Sequence, residues 1–140
     1  MSFFEGILNQ EDVIVVNKQF CDQLNEPYGL DHPDILQKII DEFNGYDSIS
    51  DDKEKAIQKV CCLLVGLVFE QPFKNGNKRT SVSISLLIMR IHHHDIRGYK
   101  NEITQEEFYQ LLYNTMMKME GDQTIKSELE EYLRENLTKI

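Results

Sequence analysis

Apolar residues recur along most of the chain at the three- and four-residue spacing of helices, interrupted by short polar turns. From Asp12, the positions Val13, Val16, Phe20 and Leu24 fall on one face, and Pro27 stops the run. His32-Pro33 predicts a second helix with Ile35, Leu36, Ile39, Ile40 and Phe43 inward. Proline suits a first helical turn, where its missing N–H would have no partner. Asn44-Gly45 reads as a turn. Asp51 or Asp52 then caps a third helix whose stripe is Ile57, Val60, Cys61, Leu64, Leu67 and Val68. In the next run Ser81, Ser83 and Ser85 alternate with Val82 and Ile84, as a strand would. Leu86-Leu87-Ile88-Met89 breaks the alternation, and the length predicts a central helix over 80–91 with Leu87 in its buried stripe. Thr104 with Glu107 forms a capping-box pattern ahead of Phe108, Leu111, Leu112, Thr115, Met116 and Met119, and Gly121 ends that segment. Ile125, Leu129, Tyr132, Leu133 and Leu137 define a last amphipathic helix. Residues 1–10 have no clear period and predict a loosely held arm. The whole is expected to be an all-α, single-domain bundle of six or seven helices over residues 1–140.

Between the two most apolar runs lies Gln71-Pro72-Phe73-Lys74-Asn75-Gly76-Asn77-Lys78-Arg79-Thr80. Gly76 can adopt the backbone of a tight turn, and Asn77 suits the N-cap of a helix starting near Lys78. The N–H groups of Gly76, Asn77 and Lys78 would then face outward with partial positive charge, a cradle for phosphate. Lys74, Lys78 and Arg79 add formal charge. The plainer alternative is a polar turn between two buried helices.

Charge sharpens this contrast. The 140 residues carry 24 Asp+Glu against 15 Lys+Arg, a net charge of −9, so three cations within six residues stand out. The acidic balance argues against a general nucleic-acid or anionic-membrane surface. A hydrophobic content of 41% with no apolar run of about 20 residues fits a soluble globular chain, not a membrane span. Residues 1–5 lack a basic stretch and a long apolar one, so a signal peptide is not expected. The three cysteines, two adjacent at Cys61-Cys62, read as buried free thiols. The expected compartment is cytoplasmic. His92-His93-His94 looks metal-binding, but successive helical residues point about 100° apart and cannot easily share an ion. Polar or cationic histidines at a helix C-terminus are the better reading.

The charged stretch resembles the signature of the Fic/Doc family, a loop reading His-Pro-Phe, two residues, then Gly-Asn-Gly-Arg. Doc-like (death-on-curing) members end it in Asn-Lys-Arg, which Asn77-Lys78-Arg79 matches. The surroundings are similar too, with Tyr28-Gly29, a short helix around Leu36 and a long helix leading into the motif. The resemblance runs over residues 12–95. It implies a helical bundle that transfers AMP or phosphate from a nucleotide to a hydroxyl of a target protein. ATP or another nucleoside triphosphate with Mg²⁺ would be the cofactor, and an antitoxin a partner. Phe73 would anchor the loop in the core. Asn75 stands where the family places Asp, Glu or Asn near a divalent metal, and its amide oxygen would bind Mg²⁺ less tightly than a carboxylate. Lys78 replaces the second Gly of the Fic pattern, and Arg79 keeps its Arg. Val82 stands where Fic members carry a second Arg, which favours the Doc-like branch. The segment from Phe43 to Ile49 falls where relatives have a flap, often a hairpin, making Tyr46 and Asp47 candidates for target contact.

One position departs from the pattern. The family's general base, His, is here Gln71. A carboxamide has no pKa near neutrality, and loss of a general base removes ~10²–10⁴-fold of rate. The first expectation is therefore a nucleotide- or phosphate-binding member whose transfer activity is impaired or absent. The alternatives are a Doc-like toxin, kinase or nucleotidyl transferase, with position 71 altered or its base supplied elsewhere, and a non-catalytic interaction module.

Overall fold

A computed structural model of the chain describes residues 7–92, 94–96 and 123–139. Among these residues there are five α-helices, one 3₁₀ turn, one π turn and a two-stranded ribbon.

Helix α1 spans Gln10–Gln23, starting before Asp12 because Asn9 caps it. The Asn9 side chain accepts from the Asp12 N–H, and the Asp12 carboxylate accepts from the Asn9 N–H. Its buried line is Val13, Asn17 and Cys21, with Val16 and Phe20 only half-buried and Leu24 exposed. Upstream, Leu8 is buried, and the Asn44 side chain bonds both its N–H and its carbonyl at 2.9 and 2.8 Å. Residues 7–9 of the expected arm are thus held by the fold, and residues 1–6 lie outside the described residues.

Helix α2, Pro33–Gly45, buries Leu36, Ile39, Ile40 and Phe43. Asn44-Gly45 completes this helix and does not form the expected turn. The flap position holds a 3₁₀ turn, Tyr46–Ser48, and no hairpin. Asp51 caps helix α3, Asp52–Val65, by accepting from the Glu54 N–H at 2.8 Å. The helix then widens into a π turn over Gly66–Glu70, whose hydrogen-bonded ring is one residue longer than that of an α turn, a form frequent at functional sites. Gly66 allows α2 to approach here, since a Cβ would lie 2.8 Å from Ile39 Cγ1.

Helix α4 covers Asn77–Ile91 and packs on both α3 and α1. Ser81 and Ser85 take inward positions beside Val82, Ile84, Ile88 and Met89, which turns Leu87 outward at 43% exposure. A helix cannot bury four consecutive apolar residues when another face already meets the core. Helix α5, Gln123–Asn136, packs on α3, where Arg134 grips Glu54 with two bonds of 2.7 and 3.3 Å. Leu137 is buried but no longer helical. It opens strand β2, Leu137–Lys139, antiparallel to β1, His94–Ile96. The segment expected over 108–119, its capping pattern at Thr104 and Glu107, and His93 lie outside the described residues.

One core joins all five helices, with Leu129 and Leu133 of α5 meeting Val60, Leu63 and Leu64 of α3 in the same cluster. Cys61 and Cys62 are free and buried in it, and burial pushes the Cys61 thiol up to about 12. Where the start of α3 meets the end of α4 there is a polar inclusion. Lys59 is fully buried, with Nζ 3.1 Å from Asp47 Oδ1 and 3.4 Å from His92 Nε2. His92 Nδ1 lies 3.2 Å from Asp52 Oδ1. Burial, and then the Lys59 charge, hold the His92 pKa below its ordinary value, so this histidine favours the neutral form and not the cationic one. Among the described residues no group of three His, Cys, Asp or Glu could hold a metal ion.

Candidate phosphate-binding cleft

The connection between α3 and α4 is shaped by two left-handed residues. Gln71 sits at φ 47°, ψ 63°, which costs a non-glycine residue roughly 1–2 kcal/mol. Gly76, at φ 77°, occupies the N-cap position of α4. Between them Pro72 and Phe73 are buried and Lys74 is exposed, as is Arg79 in the first turn of α4.

Asn77 does not cap the helix. It is the first helical residue, and its amide turns back across the loop. Oδ1 accepts from the Phe73 N–H at 3.0 Å, and Nδ2 donates to the Phe73 carbonyl at 2.8 Å. One side chain thereby satisfies both backbone groups of the residue whose ring is 2% exposed. The loop cannot open without losing these bonds and the burial of Phe73 together.

Two further partners come from outside the motif. Asn17, fully buried on α1, donates from Nδ2 to the Asn75 carbonyl at 2.8 Å and to Thr80 Oγ1 at 3.2 Å. A Cβ on Gly76 would sit 2.9 Å from that same nitrogen, so glycine is required for packing as well as for φ. The second partner is the extended stretch before α2. Leu30 and Phe73 form an antiparallel bridge. Asp31 and His32 donate their N–H groups to the Pro72 carbonyl at 2.9 and 3.0 Å, and Lys74 donates to Gly29 at 2.8 Å. Tyr28 leans on the Phe73 ring with centroids 6.3 Å apart. Sequence reading missed Asn17 and noted Tyr28-Gly29 only through the family resemblance, not as a partner of the loop. The Val13–Asn17–Cys21 spacing was the available signal for the first; Tyr28-Gly29 offered no periodicity to signal the second.

These supports frame a cleft of about 420 Å³. Gln71, Lys74, Asn75, Gly76, Asn77, Lys78 and Arg79 all line it, so the structure brings these sequence candidates together. Leu24, Glu26 and Val68 complete the wall. Lys74 and Arg79 form no ion pair with a described residue. Asn75 Nδ2 donates to the Pro27 carbonyl at 2.9 Å, while its Oδ1 accepts no hydrogen bond from a described residue. Gly76 and Asn77 begin α4, so the first-turn N–H groups face this region with the partial positive charge of a helix start.

Tyr46 and Asp47 stand elsewhere. Among the described residues neither lines the cleft. Asp47 is committed to Lys59, and that hydrogen bond holds its carboxyl below the usual range. Tyr46 packs against the core, with its hydroxyl 3.2 Å from Glu42 Oε2.

A model of the Fic/DOC family matches residues 7–89. No curated protein and no solved structure matches the chain. The family match extends over more than half the sequence, from the anchored Leu8 through the cleft to Met89 near the end of α4. On that extent, and with a helical bundle holding the α3–α4 loop, the chain belongs to the Fic/Doc family.

Proposed function

We propose that the cleft binds the phosphates of a nucleoside triphosphate such as ATP, and that with Gln71 the chain transfers the nucleotide's phosphoryl or adenylyl group weakly or not at all. The observation that carries this reading is the separation of roles within the loop. The amides of Asn75 and Asn77, with Asn17 from α1, are spent on holding the backbone. Its cations Lys74 and Arg79 stay exposed at the cleft. Arg79 would take phosphate oxygens through its planar fork, and Lys74 would act as a point charge. The α4 N-terminus would meet the phosphate chain end-on.

A divalent ion such as Mg²⁺ fits the donor set. Asn75 Oδ1 accepts no hydrogen bond from a described residue and lies in the same cleft as the cations. Such an ion would supply charge neutralisation at the phosphates. Gln71 can donate or accept a hydrogen bond to an incoming hydroxyl and orient it, but has no basic nitrogen to take the proton. Its left-handed backbone suits a functional reading, since such strain persists where the surroundings over-determine it.

The second reading, a toxin-like transferase altered at position 71, is favoured by one feature. Every other part of the loop is kept and braced, so a histidine would enter a built site. One pair of experiments separates the two. Titration with MgATP should shift the amide resonances of residues 76–79, and silence of those amides at millimolar nucleotide would sink the binding proposal. Gln71→His should then raise transfer of label onto proteins of a cell lysate by ~10²–10⁴-fold. A variant that binds nucleotide and labels nothing leaves a binding module.

A further inference from the structure

We propose that Glu26 supplies the carboxylate of the cleft's divalent-cation site, ligating with Asn75 Oδ1 the ion that accompanies the nucleotide. The inference rests on the phosphate-binding reading of the cleft and adds a ligand from outside the motif. Glu26 is the one acid among the described residues lining the cleft, facing a wall that carries Lys74, Lys78 and Arg79. Its place is fixed by the backbone. Asn25 turns left-handed at φ 56° after α1, and the Glu26 N–H donates back to the Cys21 carbonyl at 2.8 Å. The next carbonyl, that of Pro27, receives the Asn75 amide at 2.9 Å. Glu26 is therefore one residue from the group that orients Asn75.

A second line of contact reaches the same spot from below. Cys21 Sγ lies 3.9 Å from where a Cβ on Gly76 would be. Burial and then the charge of Glu26 push that thiol's pKa up. Glu26 is exposed and makes no hydrogen bond from its side chain to a described residue and no ion pair with one.

Magnesium is commonly held by one or two carboxylates together with substrate phosphates, keeping several waters, and not by an all-protein cage. Asn75 alone gives it a neutral oxygen. Glu26 would restore the negative charge that an acidic residue at position 75 would have provided. The opposite role is repulsion, an anion that merely disfavours phosphate beside it. The two differ in sign.

The test uses the full chain and Glu26→Gln, a surface change that leaves the fold in place. ATP affinity is measured by calorimetry with Mg²⁺ and again with EDTA. If Glu26 is a ligand, Mg²⁺ tightens ATP binding to the parent chain, and this gain falls by about tenfold or more in Glu26→Gln. Binding in EDTA stays equal or improves. Mn²⁺ with ATP should also broaden the amides of residues 26 and 75–76 in the parent and do so less in the variant. Tighter binding by the same factor with and without metal would make Glu26 a repulsive wall and overturn the proposal. An unchanged metal gain would overturn it too, while leaving the phosphate site standing. Absence of ATP binding to both chains would overturn the phosphate reading and this inference with it.

Discussion

At one end of the α3–α4 pair a lysine is buried and fully engaged; at the other, a lysine and an arginine are exposed and form no ion pair with a described residue. Lys59 is inaccessible to water and sits within 3.4 Å of both Asp47 and His92. Lys74 stands on, and Arg79 just beyond, a loop whose backbone is held by asparagines and by the stretch before α2. Burying a charge is costly unless a partner comes with it. The first end supplies that partner from the flap position, which is why Asp47 is drawn inward. The second end pins its backbone with uncharged amides, which leaves Lys74 and Arg79 without an ion pair to a described residue. Internal pairing accounts for the first end as structure; the proposed phosphate site rests on the second.

The largest expected effect tests whether the loop is braced from within. Phe73→Ala should lower stability by about 3–5 kcal/mol, the range for truncating a buried aromatic, read from urea denaturation. A loss under about 1 kcal/mol would show that the ring does not anchor the loop. Lys59→Met comes next. Removing one member of a buried pair can cost about 3–5 kcal/mol. Here Asp47 is 47% exposed and water can take over part of its bonding. The expectation is therefore about 1–3 kcal/mol, the penalty for stranding a polar group. A neutral or stabilising result would mean the inclusion is replaceable by apolar packing, and the contrast between the two ends would blur. Neither the cleft's cations nor its shape should change in that variant, so nucleotide affinity should hold.

Arg79→Ala is the mirror experiment. Its stability should stay within about 0.5 kcal/mol, as for other exposed positions. Its affinity for MgATP should fall about tenfold or more, because a hydrogen bond to a charged group contributes about 1.5–3 kcal/mol. Calorimetry on the same sample reads affinity while denaturation reads stability. Loss of stability with unchanged affinity would reverse the assignment of the two ends.

How far the sequence announced these arrangements depends on which force set them. Helices α2, α3 and α4 were legible because apolar burial at period 3.6 built them, as Leu36, Ile57 and Ile84 show. Buried polar residues were not. Asn17 and Lys59 each look like solvent-facing positions until the partners that satisfy them are known, and those partners are 58 and 12 residues away in sequence. Asn77 was read as a cap because its type and place allow one, yet a ring closed on Phe73 satisfies two backbone groups where a cap satisfies one. The extended stretch at Tyr28 to Asp31 has no periodicity to betray it, since its order comes from pairing with the loop. Leu137 kept its burial but changed element, because strand β1 offered it a ladder. The cleft residues from Gln71 to Arg79 were close in sequence, so the resemblance to a known loop gathered them without any fold, while Leu24 and Glu26 joined them only through it.

The smallest effect concerns His92 and the pH dependence of the buried end. Burial, then Lys59, lower its pKa, while the hydrogen bond to Asp52 works against them; Lys55 adds a further cationic push. The folded pKa therefore lies below the unfolded value of 6.5. Above that value both states hold a neutral ring, and this contribution to stability is fully present. As pH falls below it, the unfolded chain takes up the proton first, so stability declines until the folded pKa is passed. Asp47 also has a lowered pKa, but its window opens only below its unfolded value of 3.8. Between about pH 7 and 5 the histidine can thus be read apart from Asp47. Urea midpoints should drop across that interval in the parent chain and drop less in His92→Gln, which keeps a polar side chain beside Asp52 and Lys59. Equal drops in the two proteins would mean that His92 is not held neutral by its buried neighbours. The cleft should be indifferent to this titration, because the groups that face His92 belong to the other end of the helical pair. A parallel loss of ATP affinity over the same interval would couple the two ends, and their division of labour would no longer stand.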